Sequence, residues 1–274
     1  LGLGMGLTCT GLSLRYRMPV VTAWSTPGAA MLISSAAGLP LSDAVGAFML
    51  SALLICLAGF SGFFERMISR IPVSLASGML AGVLLRFGLE AFGAMKTQLG
   101  MVLTMFVVYL LARRLLPRYA VILTLLVGIA FAAGLGLLRV NGLALELAKP
   151  IFLAPTFSLA AVVGIALPLF IVTMASQNVP GVAVIRASGY PIPISPVVGW
   201  TGVANLLLAP FGAFALNLAA ITAAICMGRE AHEDASRRYV AAIAAGVFYV
   251  IVGLFGATVA ALFAAFPKEL ILAI

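Results

Sequence analysis

The sequence predicts an all-α integral membrane protein, and its composition and the length of its apolar runs carry that prediction. Of the 274 residues, 64% are hydrophobic and only 9% are charged, whereas soluble domains contain roughly 45–50% apolar and about 25% charged residues. The apolar residues form runs of about 20, which is the length that a helix needs to cross a bilayer. They do not alternate with polar residues at a period of two, so the pattern argues against a membrane barrel.

Charged residues, Pro and Gly divide the chain into eleven apolar segments. Assigning the segment ends alternately to the two sides of a membrane places eleven of the sixteen Lys and Arg residues on one side and four on the other. The richer side is cytoplasmic by the positive-inside rule, and this topology also explains the net charge of +8. We therefore expect a surrounding lipid bilayer and no nucleic-acid partner. Leu1 and Ile274 both lie inside apolar runs, so we expect an incomplete chain.

Two segments interrupted by Pro and Gly, at residues 19–30 and 209–217, occupy similar places in the two halves of the chain. A long span with a Gly-rich patch follows each of them, and Phe60 and Phe255 in these patches are 195 positions apart. The predicted topology makes the first segment enter from the cytoplasm and the second from outside, so the repeat is inverted. Inverted repeats with broken helices are typical of secondary transporters, whose binding sites lie near mid-membrane. Ordinary Pro kinks and small-residue packing remain the alternative.

The first broken segment contains the sequence WSTPG at residues 24–28. Pro27 suits the first turn of a helix, and Ser25 or Thr26 suits its N-cap. We therefore predict an extended stretch followed by a helix start.

In the second broken segment, Pro210 and Gly212 suggest the same device, with Asn217 on the helix that Gly212 begins. Each helix start is equivalent to about +0.5 charge and has free N–H groups. Two converging helix starts would therefore favour an anion.

A third polar patch, formed by Ser176, Gln177 and Asn178, interrupts another apolar run. Three consecutive polar side chains cannot all avoid lipid unless some of them face a cavity or another helix. Hydrogen bonding between helices is the alternative to a binding role. Asn205 also lies in apolar surroundings, but Asn217 is the better candidate of the two.

Arg86 and Glu90 are four residues apart in one apolar run and share a helix face. They predict either a structural ion pair or part of a proton path. His232 lies in a charged loop, where we expect it to be solvated. The three cysteines have no ligand-like spacing, so we expect no metal. The sequence contains no signature of an enzyme or of a cofactor site.

Five stretches of the chain carry a resemblance: TAWSTPGAA at 22–30, ASQNVPGVAVIRASGY at 175–190, APFGAFALNLAAIT at 209–222, EAH at 230–232 and RRY at 237–239. Together they closely resemble the bacterial benzoate/proton symporter family over essentially the whole chain. The resemblance implies a bacterial inner-membrane protein with fourteen segments in two inverted repeats of seven. That fold is shared with nucleobase and sulfate-type anion transporters and is divided into a core and a gate domain.

The resemblance also implies how the chain divides. The first partial repeat, segments two to seven, covers 1–138, an external linker covers 139–157, and the second partial repeat, segments eight to twelve, covers 158–274. The core is formed by about 1–64 and 158–228, with parts of the gate at 72–138 and 238–274. Whether two copies form a homodimer through the gate is left open.

In this family we expect import of benzoate or a similar aromatic carboxylate with a proton, by alternating access and without a cofactor. The residues expected to bind the substrate are Trp24, Ser25, Thr26, Gly28, Ser176, Gln177, Asn178, Phe211, Gly212, Phe214 and Asn217, and those considered for proton coupling are Arg86 and Glu90. Relatives that carry nucleobases have acidic residues in segments eight and ten, where this chain has Ser, Gln and Asn. The alternatives are an inorganic anion or nucleobase carrier, and a non-transporting membrane scaffold or channel.

Overall fold

The computed structural model describes residues 1–36, 38–68, 70, 78, 81, 85, 88–139 and 145–273, and most of them are helical. Within this part of the chain, four helices are long and apolar enough to cross a membrane, at Leu41–Phe60, Leu159–Ala187, Ile194–Phe211 and Ala235–Leu254. The expected helical membrane protein is therefore confirmed. The inverted repeat stays a prediction.

The elements follow one another in two compact units. Before residue 80 they are α1 (Gly2–Tyr16), β1 (Thr22–Trp24), α2 (Thr26–Ser35), α3 (Leu41–Phe60) and α4 (Phe63–Ile68). Next come α5 (Leu99–Leu115), α6 (Ala120–Gly134) and the long helix α7 (Leu159–Ala187). The remaining elements are α8 (Ile194–Leu208), β2 (Leu216–Leu218), α9 (Ile221–Met227), α10 (Tyr239–Leu254), α11 (Gly256–Ala265) and α12 (Lys268–Ala273).

The first unit comprises Leu1–Leu80 and Lys149–Leu254. Its helices approach closely where glycines face backbone. A Cβ added at Gly202 of α8 would lie 2.8 Å from the backbone nitrogen of Cys56 in α3, and Gly246 of α10 faces α1 in the same way. Within a bilayer the hydrophobic effect does not drive helices together. Small residues allow membrane helices to approach closely and to associate through packing contacts instead.

The interior of the first unit contains two clusters of buried apolar side chains. The first apolar cluster includes Val21, Ile55, Met174, Val198 and Leu218. The second apolar cluster includes Phe48, Ile165, Leu169, Ala209 and Ala215. Helices α3 and α7 contribute to both clusters, so each of them passes from one cluster to the other. Helix α8 contributes to the first cluster, and Ala209 in the turn after it belongs to the second.

The second unit comprises Ala81–Ala148 and Phe255–Ile274. Helices α5, α6 and α12 pack around Met101, Met105, Ala132 and Leu270. Helix α5 ends just before Pro117, which disfavours helical backbone at the residue that precedes it. The expected division into core and gate domains stays a prediction.

Candidate functional site

The two broken segments meet in a short antiparallel ladder within the first unit. Strands β1 and β2 pair with Ala23 opposite Asn217 at the centre. The ladder is extended on both sides, because Ser25 donates its N–H to Ala215 at 3.1 Å and Ala219 donates to Val21 at 2.9 Å. Non-helical backbone inside a bilayer needs such internal partners, and here each broken segment supplies them to the other.

The first broken segment has the predicted form, an extended strand followed by a capped helix start. Ser25 is the N-cap of α2, and its buried side-chain oxygen accepts a hydrogen bond from the Gly28 N–H at 3.0 Å. Pro27 has no N–H, and Ala29 donates its own to the Ser25 carbonyl. The Thr26 amide is therefore the donor that the first turn can offer to a ligand.

The second broken segment corrects the sequence prediction. Pro210 lies in a 3₁₀ turn that ends α8, and Gly212 follows with a φ of 82° in the left-handed region. Asn217 lies in β2, and the next helix, α9, begins only at Ile221. The prediction was wrong because a glycine with positive φ is the usual end of a helix, so the Pro-Gly signal marked a stop.

The starts of the two short helices are therefore chemically different. Residue Ala220 precedes α9, and it offers no side-chain hydrogen bond to the first turn. Helix α2 starts at a polar cap, so its start is the one that we expect to attract an anion.

Helix α7 lies against both broken segments. A Cβ added at Gly28, in the first turn of α2, would lie 2.8 Å from Cδ1 of Leu169. Further along α7, the Asn178 side-chain oxygen accepts a hydrogen bond from the Leu218 N–H of β2 at 2.9 Å. Gly181 lies so close to the same strand that a Cβ there would be 2.7 Å from Cβ of Leu218. Helix α7 thus holds the two broken segments in place.

Two π-helical turns interrupt α7, at Val162–Ala166 and Met174–Asn178. Such turns occur often at functional sites, and the second one contains the whole polar patch predicted from the sequence. Ser176 donates its hydroxyl to the Val172 carbonyl at 2.6 Å, while Gln177 is half-buried. Asn178 thus makes a structural contact with a strand and not with a helix, and its expected role in substrate binding stays a prediction.

Aromatic rings gather beside the ladder. Trp24 and Phe214 meet edge to face, with 6.2 Å between ring centroids, and Phe214 contacts Phe48 at 5.5 Å. Trp24 is 39% exposed, so part of its ring is open to a ligand. Phe211 instead contacts Phe152, with their centroids 5.7 Å apart.

Two buried side chains next to these groups keep polar atoms without a partner among the described residues. The Asn217 amide nitrogen donates to the Ala215 carbonyl at 2.9 Å, but its oxygen has no partner. The hydroxyl of Thr173, fully buried on α7, has none either. Sequence reasoning missed Thr173, although its spacing of four residues from Gln177 indicates a shared helix face.

The charged candidates do not belong to the two broken segments. Arg86 lies outside the described residues, and Glu90 is half-buried in the second unit. Their role in proton coupling stays a prediction. His232 lies in the loop before α10, where its Nδ1 accepts a hydrogen bond from the Asp234 N–H at 3.0 Å. Hydrogen bonds from Ser236 hold the pKa of the Asp234 carboxyl below its ordinary value.

Comparison with known proteins places the chain in a family. The model of the family described as benzoate membrane transport protein matches residues 1–274. The chain belongs to this family. It is 46% identical over 267 residues to the inner membrane protein YdcO of Escherichia coli (strain K12), a match that covers 97% of the chain and 68% of that protein. It is 40% identical over 274 residues to the benzoate membrane transport protein of Acinetobacter baylyi, covering 100% of the chain and 70% of that protein.

The resemblance given by the sequence motifs is thereby confirmed. The chain is a multi-pass inner-membrane protein, since one relative is named an inner membrane protein, another is named a membrane transport protein, and the described part of the chain contains several helices able to span a bilayer. Membership of the family supports membrane transport as its function.

Proposed function

We propose that the protein imports benzoate or a similar aromatic carboxylate across the inner membrane together with one proton, by alternating access. Membership of the benzoate membrane transport protein family supports the substrate class. The observation that carries the proposal is the capped start of α2, which begins directly after Trp24 and beside the ring of Phe214. A charge-attracting group and a partly open aromatic surface thus lie next to each other, as an aromatic carboxylate requires.

The carboxylate group binds at the start of α2. The helix end is equivalent to about +0.5 charge, and the Thr26 amide is the donor its first turn has left for a ligand. Amide groups of Gln177 and Asn217 supply further neutral polar contacts. No acidic side chain lies in the ladder or in the polar patch of α7 to repel the substrate.

The aromatic ring of the substrate packs against Trp24 and Phe214. These two rings meet edge to face with their centroids 6.2 Å apart, within the range of about 4.5–7 Å that aromatic pairs favour. The substrate ring packs against them at similar separations. Movement of the gate segments relative to the core then exposes the bound substrate to either side of the membrane in turn.

The driving force follows from charge balance. One proton and one carboxylate carry no net charge, so a pH gradient drives uptake with about 1.4 kcal/mol per unit. The membrane potential, which supplies roughly 2.3 kcal/mol per 100 mV to a charged cargo, drives none.

The test is uptake of labelled benzoate by the full-length protein in proteoliposomes. We expect accumulation when the outside is made acidic, and none when a voltage is applied at equal pH. Accumulation driven by voltage alone would contradict proton symport. Competition by uracil or sulfate at concentrations similar to benzoate would instead assign the protein to nucleobase or inorganic anion transport.

A further inference from the structure

Buried polar atoms without partners are concentrated in four side chains of the first unit. Among the described residues, six buried side-chain atoms make no hydrogen bond, and five of them belong to Ser51, Thr173, Asn205 and Asn217. All four residues are 0% exposed. Most buried polar atoms in proteins have a partner, so five such atoms without one in these four side chains need an explanation.

Each of these four residues falls, along its element, between members of the two apolar clusters. The sets are Phe48, Ser51 and Ile55 on α3; Leu169, Thr173 and Met174 on α7; Val198 and Asn205 on α8 with Ala209 in the turn after it; and Ala215, Asn217 and Leu218 around β2. We call Ser51, Thr173, Asn205 and Asn217 the polar layer, because each lies where its element passes from one apolar cluster to the other.

The elements that bear the layer pack against one another in pairs. Gly202, one turn before Asn205 on α8, faces the backbone of Ala52 in α3, next to Ser51. The hydrogen bond from the Leu218 N–H to Asn178 joins β2, which bears Asn217, to α7 five residues after Thr173.

The chemistry of the layer fits water better than a cation. The hydroxyls of Ser51 and Thr173 can both donate and accept, and Asn205 has a donor and an acceptor without partners. Such a mixed set suits water, which typically makes two to four hydrogen bonds in a buried site. A cation would leave the donors unsatisfied. We propose that the polar layer holds a cluster of ordered water in the middle of the first unit.

This water has a role in transport, and that role rests on the function proposed above. The chain contains eight Asp and Glu residues and one His, all of them are described, and none is buried. No carboxyl or imidazole group of this chain is therefore buried as a proton carrier. Ordered water carries the proton instead, because each molecule accepts a proton at one side and releases another.

The proton ends on the substrate. At the last step an O–H bond of hydronium breaks and an O–H bond forms on the carboxylate, giving a neutral carboxylic acid and water. The proton comes from the outer solution, and no other reactant is needed. Asn217 belongs both to the layer and to the ladder, so it links the water to the site.

The presence of water is tested without transport, by X-ray radiolytic labelling of the purified full-length protein. Hydroxyl radicals formed from buried water oxidise the side chains next to it. We expect oxidation of Met174, which adjoins the layer and is 6% exposed, and none of Met5, which is 8% exposed but lies on α1 outside the layer. Asn205→Leu, which removes the polar atoms and keeps the number and branching of the side-chain heavy atoms, should abolish labelling of Met174. Equal, low labelling of both methionines in the unmutated protein would overturn the proposal.

The role in coupling is tested with the same variant in proteoliposomes. We expect Asn205→Leu to bind benzoate normally but to lose at least tenfold in accumulation driven by a pH gradient. Ser195→Ala is the matched control, because it removes a buried hydroxyl without a partner that lies outside the layer. If Asn205→Leu does not fold, Ser51→Ala takes its place with the same expected loss.

The outcomes separate the two proposals. Normal pH-driven accumulation by the layer variant would overturn the water route and leave benzoate symport standing. No benzoate uptake by the unmutated protein would overturn symport, while the labelling of Met174 would still decide whether the layer is hydrated.

Discussion

The two broken segments have the same outline and different chemistry. Each has a strand of three residues followed by a short helix, and the strands pair with each other. The first helix starts at a serine cap and offers an amide. The second starts after Ala220 without a side-chain cap, and its strand contributes the buried amide of Asn217. Similar backbone in the two halves therefore serves different purposes, since the first attracts charge and the second provides a neutral hydrogen-bonding group.

The largest effect is expected when the neutral group of the second segment is made acidic. At an effective dielectric constant of 20, two unit charges 4 Å apart repel by about 4 kcal/mol. Asn217→Asp should therefore weaken benzoate binding by roughly a hundredfold or more, measured by displacement of labelled benzoate. Asn217→Ala, which adds no charge, is the control and should cost far less. Equal affinities in the two variants would remove Asn217 from the site.

The next effect concerns how α7 holds the second segment. A Cβ at Gly181 would press on Leu218, and overpacking of this kind costs about 1–3 kcal/mol. We expect Gly181→Ala to lower the melting temperature of the purified full-length protein and to reduce uptake. Gly164→Ala, on the same helix with open space around it, should leave both unchanged. Similar behaviour of the two variants would show that close contact with β2 is not required.

Removing the cap of the first segment is expected to lower the stability of the protein less than Gly181→Ala does. It should still clearly weaken the affinity for benzoate. Ser25→Ala frees the Gly28 N–H and removes a cap that contributes about 1 kcal/mol. We expect a several-fold rise in KM for benzoate uptake. Ser35→Ala removes a hydroxyl from the other end of α2, where it bonds the Met31 carbonyl, and should not change KM. An unchanged KM in Ser25→Ala would break the distinction between the two helix starts.

The smallest effect separates the aromatic candidates. Aromatic pairs contribute about 0.5–1.5 kcal/mol beyond the area they bury, so Trp24→Ala should weaken benzoate binding about three- to tenfold. Phe211→Ala should leave affinity unchanged, because Phe211 packs against Phe152. A larger loss in Phe211→Ala than in Trp24→Ala would place the substrate ring elsewhere.

The sequence was informative where one local signal has one physical meaning. Ser25 and Pro27 together mark a helix start, and the structure has it there. Gly212 was misread because glycine after a proline fits both a helix start and a helix end, and only the positive φ decides between them. The pairing of β1 with β2 could not be predicted, since three-residue strands have too little pattern and their partners are almost two hundred residues apart.

The π-helical turns of α7 have a geometric consequence. Each adds one residue to a turn, and one residue corresponds to about 100° of rotation around a helix axis. The part of α7 beyond Met174–Asn178 is therefore wound out of phase with the part before Val162–Ala166. Deleting a single residue from the second turn would restore regular winding and shorten the helix by only about 1.5 Å. The residues beyond the turn would keep their angular positions, because the deletion removes the one residue that the wider turn accommodates, so Gly181 would still face Leu218.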